Sequence, residues 1–430
     1  MTEKHLTIPV DSKSKERLAA DGLRFDLLDN SDRAAFGPWS QVITRSFLES
    51  ALLDDHIDKL HGYYRDMRLT GVWDETAAVP EMPVATFRTW PADLTVPGRR
   101  SVPAWAISSV AVAGTHRRRG IARTMMESEF RTASELGIPV AMLTVSESTI
   151  YGNFGFGPAA LARDLTVDSR RAGWIGPDAP GRVQFVTQQQ LLADGHPIVE
   201  RVRLETPGQI EYSGIFWERL LGVLDEDKSA RALRFARYDD ADGTPQGFAI
   251  FNHTGDDPDF TRHELHVQYL VTATDEAYAG IWRFLLETDL VSKVSANLRP
   301  LDEPLRWMVA DFRAVSTSDV DHLWIRILDV KQTLEARTYA APSRIVIAVS
   351  DPLGYAEGTW SLEVAADGTA IVSEVDEPAD ASMSVNELGS MYLGGVSAVT
   401  LAHAGRLTGD ADRLDAMFAS AVAPWCSIWF

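Results

Sequence analysis

Three arginines and a glycine, Arg117-Arg118-Arg119-Gly120, follow a β-branched run, Val110-Ala111-Val112. They precede a segment in which Ile121, Ala122, Met125, Met126, Phe130 and Ala133 recur at helical spacing. A strand, a cationic turn and a helix start, in that order, hold phosphate. The first N–H groups of a helix lack internal partners and the macrodipole places positive potential there. Gly120 lets the backbone approach an anion closely, and the arginines add charge-assisted hydrogen bonds. No Gly-Lys-Ser/Thr follows, so this is not a Walker loop, and the G-x-G-x-x-G dinucleotide pattern is missing as well.

Two further groups could move protons. Tyr151 lies in Ser146-Glu147-Ser148-Thr149-Ile150-Tyr151-Gly152-Asn153-Phe154-Gly155-Phe156-Gly157-Pro158, just past an apolar strand at residues 140–145. A phenol, with an ordinary pKa of about 10, can protonate a departing thiolate at little energetic cost. Packing in a Gly/Phe-rich turn is the alternative. The chain ends Ala423-Pro424-Trp425-Cys426-Ser427-Ile428-Trp429-Phe430, whereas termini are ordinarily polar and loose. An aromatic end predicts insertion into a pocket together with its carboxylate, or a hydrophobic anchor between domains. An α-carboxyl titrates at about 3.5 in water; burial raises it, and a water relay can carry the proton. The histidines are scattered and Cys426 stands alone, so no metal-ligand spacing is visible; His116 falls in the arginine loop and serves it.

Arg117-Arg118-Arg119-Gly120-Ile121-Ala122 fits the (Gln/Arg)-x-x-Gly-x-(Gly/Ala) pyrophosphate loop of the GCN5-related N-acetyltransferases (GNAT). Together with Ile150-Tyr151-Gly152-Asn153-Phe154-Gly155-Phe156-Gly157-Pro158-Ala159, it resembles the Eis (enhanced intracellular survival) family. The similarity continues at Leu323-Trp324-Ile325-Arg326-Ile327-Leu328-Asp329-Val330, Leu334-Glu335-Ala336-Arg337 and Gly389-Ser390-Met391-Tyr392-Leu393-Gly394. The resemblance implies acetyl-CoA as cosubstrate, contacted by Val110, Ala111, Val112, Arg118, Arg119, Gly120, Ile121, Ala122, Arg123, Ser146 and Glu147. Glu147 would contribute through its backbone, because a carboxylate does not attract phosphate. It implies Tyr151 as general acid and the Phe430 carboxylate as general base. Glu49 takes the place of an acidic substrate-pocket residue, with Phe47 and Trp39 as neighbours. The implied reaction is N-acetylation of polycationic amines, aminoglycosides by resemblance, at one or several positions. Acetylation of protein lysine or polyamines, or a non-catalytic CoA- or lipid-binding regulatory role, are the rivals. Trp429 replaces the acidic penultimate residue of the best-known members, which touches substrate preference. A homo-oligomer, a hexamer, is the family habit.

Elements to position these groups are legible along the chain. Strands and helices alternate through residues 1–165, predicting an α/β, GNAT-like acetyl-CoA-binding domain after a loose lead-in over residues 1–20. Two edge-like strands are expected at residues 69–73 and 82–90. A degenerate second GNAT-like domain follows at residues 166–318. Where the arginine loop would sit, it has Thr272-Ala273-Thr274-Asp275-Glu276, which repels phosphate. Strands followed by helices over residues 319–430 predict an α+β domain, sterol-carrier-protein-like by resemblance, that donates the terminal carboxylate. The 430-residue chain is long enough for this multidomain plan. A net charge of −20 argues against nucleic-acid partners and suits a small cationic amine. No run approaches the roughly 20 apolar residues of a membrane span. The N-terminus lacks a signal-peptide core, and a single cysteine fits a reducing cytoplasm.

Overall fold

The computed structural model describes residues 4–212, 214–223, 228–254, 259 and 261–430. Its largest feature is a continuous sheet built from β1 (Arg24–Leu27), β2 (Arg68–Trp73), β3 (Ala85–Val96), β4 (Arg100–Val112), β5 (Val140–Thr144) and β6 (Gly157–Asp168). The remaining strands are β7 (Arg182–Phe185), β8 (Arg234–Asp239), β9 (Pro245–Thr254), β10 (His263–Thr272), β11 (Val291–Arg299) and β12 (Val315–Ile327). Their order across the 12-stranded sheet is β1-β2-β3-β4-β5-β12-β6-β11-β10-β9-β8-β7.

Each half of this sheet follows one plan. β1 to β4 run antiparallel, and the helix Ile121–Glu135 then crosses over to bring β5 parallel to β4. β7 to β10 repeat this, and the helix Asp275–Leu286 brings β11 parallel to β10. Parallel neighbours require such a crossover, which is why the helices lie where they do. The final strands are exchanged between halves. β6, from the first half, pairs with β11, and β12, from the second, lies between β5 and β6. Both boundaries expected from the sequence, at 165 and 318, therefore fall inside strands. The apolar end of β12, Leu323 to Ile327, is buried at the centre of the sheet, so this run belongs there and not to the C-terminal domain.

The halves differ at the crossover. Eight residues, 113–120, separate β4 from its helix, but only Ala273 and Thr274 separate β10 from its own. The Thr274 side chain caps the second helix, and Asp275 and Glu276 occupy its first turn, which leaves no phosphate loop.

Two expectations about the first half are corrected. Residues 1–3 fall outside the described ones, but the rest of the lead-in folds into helices Lys4–Thr7 and Ser12–Ala19. Leu18 buries its side chain completely, and the carbonyls of His5 and Ile8 accept from the Arg68 guanidinium. Arg68 also pairs with Glu129 at 3.0 Å, both fully buried, and Glu129 accepts from Thr89 and Trp105. That network fastens the helix Ile121–Glu135 to β2, β3 and β4. Nor are β2 and β3 edge strands. β2 is buried along its whole length between β1 and β3, because helices cover both faces of the sheet.

A second sheet of five strands forms the C-terminal domain: β13 (Ser343–Ser350), β14 (Gly358–Val364), β15 (Ala370–Glu374), β16 (Ala381–Ser384) and β17 (Leu407–Gly409), in the order β15-β14-β13-β16-β17. It is joined to the first by buried polar contacts. Arg326 of β12 pairs with Asp351 at 2.6 Å. A side chain at Gly155, whose φ is +84°, would meet Arg326 at 2.7 Å. Asn386, on the helix Val385–Met391, donates to the carbonyls of Gly152 (2.9 Å) and Phe156 (2.7 Å). The turn carrying Tyr151 is thus held from below by another domain. Among the described residues, no helix is long and apolar enough to cross a membrane.

Candidate active site

β4 and β5 pair only from Ala104–Val140 to Ile107–Leu143. Beyond that point a bulge near Ser109, whose φ is +52°, turns β4 aside while β5 ends at Thr144. The edge of β4 from Ser108 through Val110, Ala111 and Val112 is left unpaired on the β5 side, offering backbone groups to an extended ligand. At about 3.3 Å per residue, the stretch from Ser108 to Ala113 is roughly 16 Å long, the order of an extended pantetheine arm.

That edge leads to the arginine loop. A short 3-10 turn, Gly114–His116, is followed by Arg118 and Gly120 in left-handed conformations, with φ of +64° and +76°. No side chain caps the helix that begins at Ile121, so the amides of Ile121, Ala122 and Arg123 lack internal partners. A side chain on Gly120 would meet nothing closer than 3.5 Å, so the glycine answers to its φ and to what approaches from outside. Arg117 and Arg118 are exposed, Arg119 donates to the Asp21 carbonyl at 3.0 Å, and Arg123 stacks over Phe154 at 5.3 Å. His116 contacts Asp74 at 3.1 Å. Hydrogen bonds from Thr76 and then His116 hold the Asp74 carboxyl at about 2. Uncapped amides and cationic side chains form a donor set suited to a diphosphate.

A cavity of about 520 Å³ opens at the mouth of the split. The helix Arg33–Ser46 turns Ser40, Ile43 and Thr44 toward it, with Phe47 just beyond, at one-face helical spacing. Glu49, Tyr64, Arg88, Ser108, Ser109, Ser146, Phe216, Arg219, Trp429 and Phe430 complete most of the wall. The structure therefore brings together Phe47, Glu49, Ser146 and Phe430. Trp39 does not join them. It is fully buried, stacked on Phe36 at 5.9 Å, and its indole N–H donates to Thr70 O at 2.9 Å. It stands one turn before Ile43 on the same helix, at the end that packs into the core.

Tyr151 is buried beneath Ser146, and its ring meets Phe156 edge-on at 6.1 Å. Burial and then the Glu147 carboxylate push its phenol upward, while a hydrogen bond with Ser146 opposes them. It stays protonated at neutral pH and lies behind the cavity wall, which it does not itself line. Glu147 itself is exposed and accepts from the Thr149 hydroxyl at 3.4 Å.

The C-terminal tail threads the sheet from one half to the other. Trp425 N–H donates to Pro207 O at 2.8 Å, and Ser427 bonds Tyr212 and Gln209. His322, on β12, bonds Ile428 O at 2.9 Å and meets the Trp429 ring at 4.5 Å. The Phe430 ring lies edge-on to Trp90 at 5.8 Å, and its backbone is bonded to Thr144. Cys426 is packing within this tail, its thiol pushed up to about 12 by burial.

Sequence reasoning missed Thr144, Arg88, Arg219, His322 and Asn386. None stands in a motif; Thr144, His322 and Asn386 meet partners far away in the chain, and Arg88 and Arg219 line the cavity. Among the described residues, no three His, Cys, Asp or Glu side chains are grouped to hold a metal.

Comparison with known proteins places the same parts in the same order. Family models described as acetyltransferase (GNAT) domains match residues 32–159 and 208–327, and one described as a sterol carrier protein domain matches residues 330–427. An N-acetyltransferase of Streptomyces avermitilis is 34% identical over 406 residues, 91% of this chain and 96% of that one. N-acetyltransferase Eis of Mycobacterium tuberculosis is 37% identical over 343 residues, 76% of this chain and 81% of that one. Among solved structures, Eis1 from Mycobacterium abscessus superposes with a TM-score of 0.78 at 28% identity, covering 94% of this chain and all 100% of that one.

Proposed function

The chain belongs to the Eis family of GNAT N-acetyltransferases, and from that premise we propose that it acetylates a primary amine seated beside Phe430. When bound, acetyl-CoA supplies an acyl carbon already activated by its thioester. Arg118, Arg119, Arg123 and the amides at Gly120, Ile121 and Ala122 hold its diphosphate. The free edge at Val110, Ala111 and Val112 holds its arm, and Ser146 and Glu147 contribute backbone contacts. Tyr151 keeps, on its phenol oxygen, the proton that the departing sulfur needs. The Phe430 carboxylate takes the proton that the attacking ammonium must lose, directly or through water.

One observation carries this reading. Ser146 and Phe430 stand on the wall of a single cavity where β4 and β5 part, and Tyr151 follows Ser146 by five residues in the turn beyond β5. In this reading, acid and base lie on either side of the place where an acyl group carried along β4 arrives. The resemblance nominates aminoglycosides as acceptors, and Glu49 is the carboxylate side chain on the wall that would meet an ammonium. Thiol release from acetyl-CoA, measured with aminoglycosides, polyamines and lysine peptides, tests the reaction and ranks the acceptors. Tyr151→Phe is expected to lower kcat by about a hundredfold or more while KM for acetyl-CoA stays near wild type. Residues appended after Phe430 are expected to lower kcat as well. Full activity in both variants rejects the assignment of acid and base. The resemblance nominates a cytoplasmic homo-oligomer, a hexamer, whose size light scattering tests.

A further inference from the structure

We propose that the acceptor is an amine that also carries a carboxylate or phosphate, and that Arg88 and Arg219 bind that anion. The inference rests on the acetyl-transfer reading of the same cavity but departs from the plain polycations that the resemblance nominates as acceptors.

Arg88, on β3, is 5% exposed, yet it lines the cavity. Its guanidinium lies over the rings of Tyr64 at 4.3 Å and Trp90 at 5.2 Å. One N–H donates to Ser108 Oγ at 2.8 Å, while Nε is buried with no partner. Arg219 lines the cavity too, one turn along the helix Gly214–Leu220 from Phe216. Phe216 packs on Trp90 at 5.7 Å, so the indole under Arg88 touches the helix that carries Arg219. The Phe430 ring meets that same indole. Neither Arg88 nor Arg219 has an ion pair among the described residues.

A guanidinium does not shed its charge at accessible pH, so a buried one without a counter-charge is destabilising. Burial pulls the Arg88 pKa down, with Tyr64 opposing it and repulsion from Arg219 adding to it. An oxyanion of the substrate removes that repulsion and accepts from the orphaned Nε–H. It also makes the bidentate contact that arginine, and not lysine, offers. The amine of the same molecule then lies toward Phe430 and Glu49. A polycation without an anion adds like charge beside Arg88 and is disfavoured.

Matched acceptors test this with the full chain: cadaverine against lysine, and glucosamine against glucosamine 6-phosphate. In at least one pair the anion-bearing amine is expected to show kcat/KM higher by about tenfold or more, and the pair identifies carboxylate or phosphate. Arg219→Gln, at an exposed position that leaves the fold intact, is expected to raise KM for that acceptor and erase the advantage, with kcat little changed. Arg88→Gln is expected to do the same. Equal or better turnover of both anion-free partners, cadaverine and glucosamine, overturns the proposal, as does a preference that survives Arg219→Gln. Calorimetric titration of lysine and glucosamine 6-phosphate into the CoA-bound enzyme separates the two readings. Binding that is lost in Arg219→Gln, without thiol release, supports the arginine site and rejects acetyl transfer. Thiol release without anion preference does the reverse.

Discussion

The Thr144 hydroxyl grips Phe430 twice, donating to an oxygen of its carboxylate at 3.0 Å and accepting its backbone N–H at 3.2 Å. Thr144 is the last residue of β5, the strand whose departure from β4 opens the cleft, and the chain beyond it carries Ser146 and Tyr151. One strand end therefore sets both the proposed acid and the proposed base. Thr144→Val preserves shape and removes both bonds, each worth about 1 kcal/mol. The expected result is a roughly tenfold fall in kcat, an unchanged KM for acetyl-CoA and a small drop in Tm. Wild-type kcat in this variant would detach the terminus from catalysis.

Support for the Tyr151 turn comes from outside the acetyltransferase halves. Asn386→Ala leaves the carbonyls of Gly152 and Phe156 without their donor, which is expected to cost about 2 kcal/mol. Asn386→Asp, which has no N–H to give, is expected to match it. Thermal unfolding and thiol-release kinetics on both variants check this. A fall in kcat larger than the stability loss explains would show that the C-terminal domain positions the phenol.

The readable parts of this site are contiguous in the chain. Arg117 to Ala122 carry their own geometry, because a loop and a helix start need only neighbouring residues, and Tyr151 and Phe430 stand out by motif and by an aromatic end. Trp39 shows the limit. Helical spacing announces a buried face, but not that Phe36 and Trp39 face the core while Ser40 and Thr44 face the cavity. Residues 4–19 read as loose since few of them are apolar, yet Leu18 and the carbonyls around Arg68 make them part of the core. Arg88 and Arg219 could not be paired from sequence, because they meet only through Trp90 and Phe216. The exchange of β6 and β12 is equally silent, for a strand's burial does not say which neighbours it has.

Gly120→Ala tests the phosphate loop without touching the acid or the base. At φ +76° a Cβ is strained by about 1–2 kcal/mol, and the loop relaxes away from the shape that aims its amides. KM for acetyl-CoA is expected to rise about tenfold while kcat at saturation holds. A fall in kcat with KM unaltered would remove this loop from cosubstrate binding.

His322 ties stability to acid pH. Burial is the largest influence on its imidazole and lowers it from 6.5 to about 4, against the opposing hydrogen bond to Ile428 O and the Asp321 charge. Ile428 O can only accept, so Nε2 carries the proton and the ring is neutral in the folded protein. The unfolded chain takes up a proton as pH falls through 6.5, whereas the folded one does so only near 4. The contribution of His322 to stability is therefore complete above about pH 6.5 and is lost as pH falls toward 4, a difference of about 3 kcal/mol across the window. Its partner lies two residues before Phe430, and the folded ring keeps its Nε2–H through this window, so the acid sensitivity shows in stability and not in the tail's grip. His322→Gln keeps an N–H for Ile428 but does not titrate, and its Tm is expected to decline less steeply with acid than wild type does. Parallel Tm profiles for the two proteins between pH 7 and 4.5 would assign the acid sensitivity to other groups.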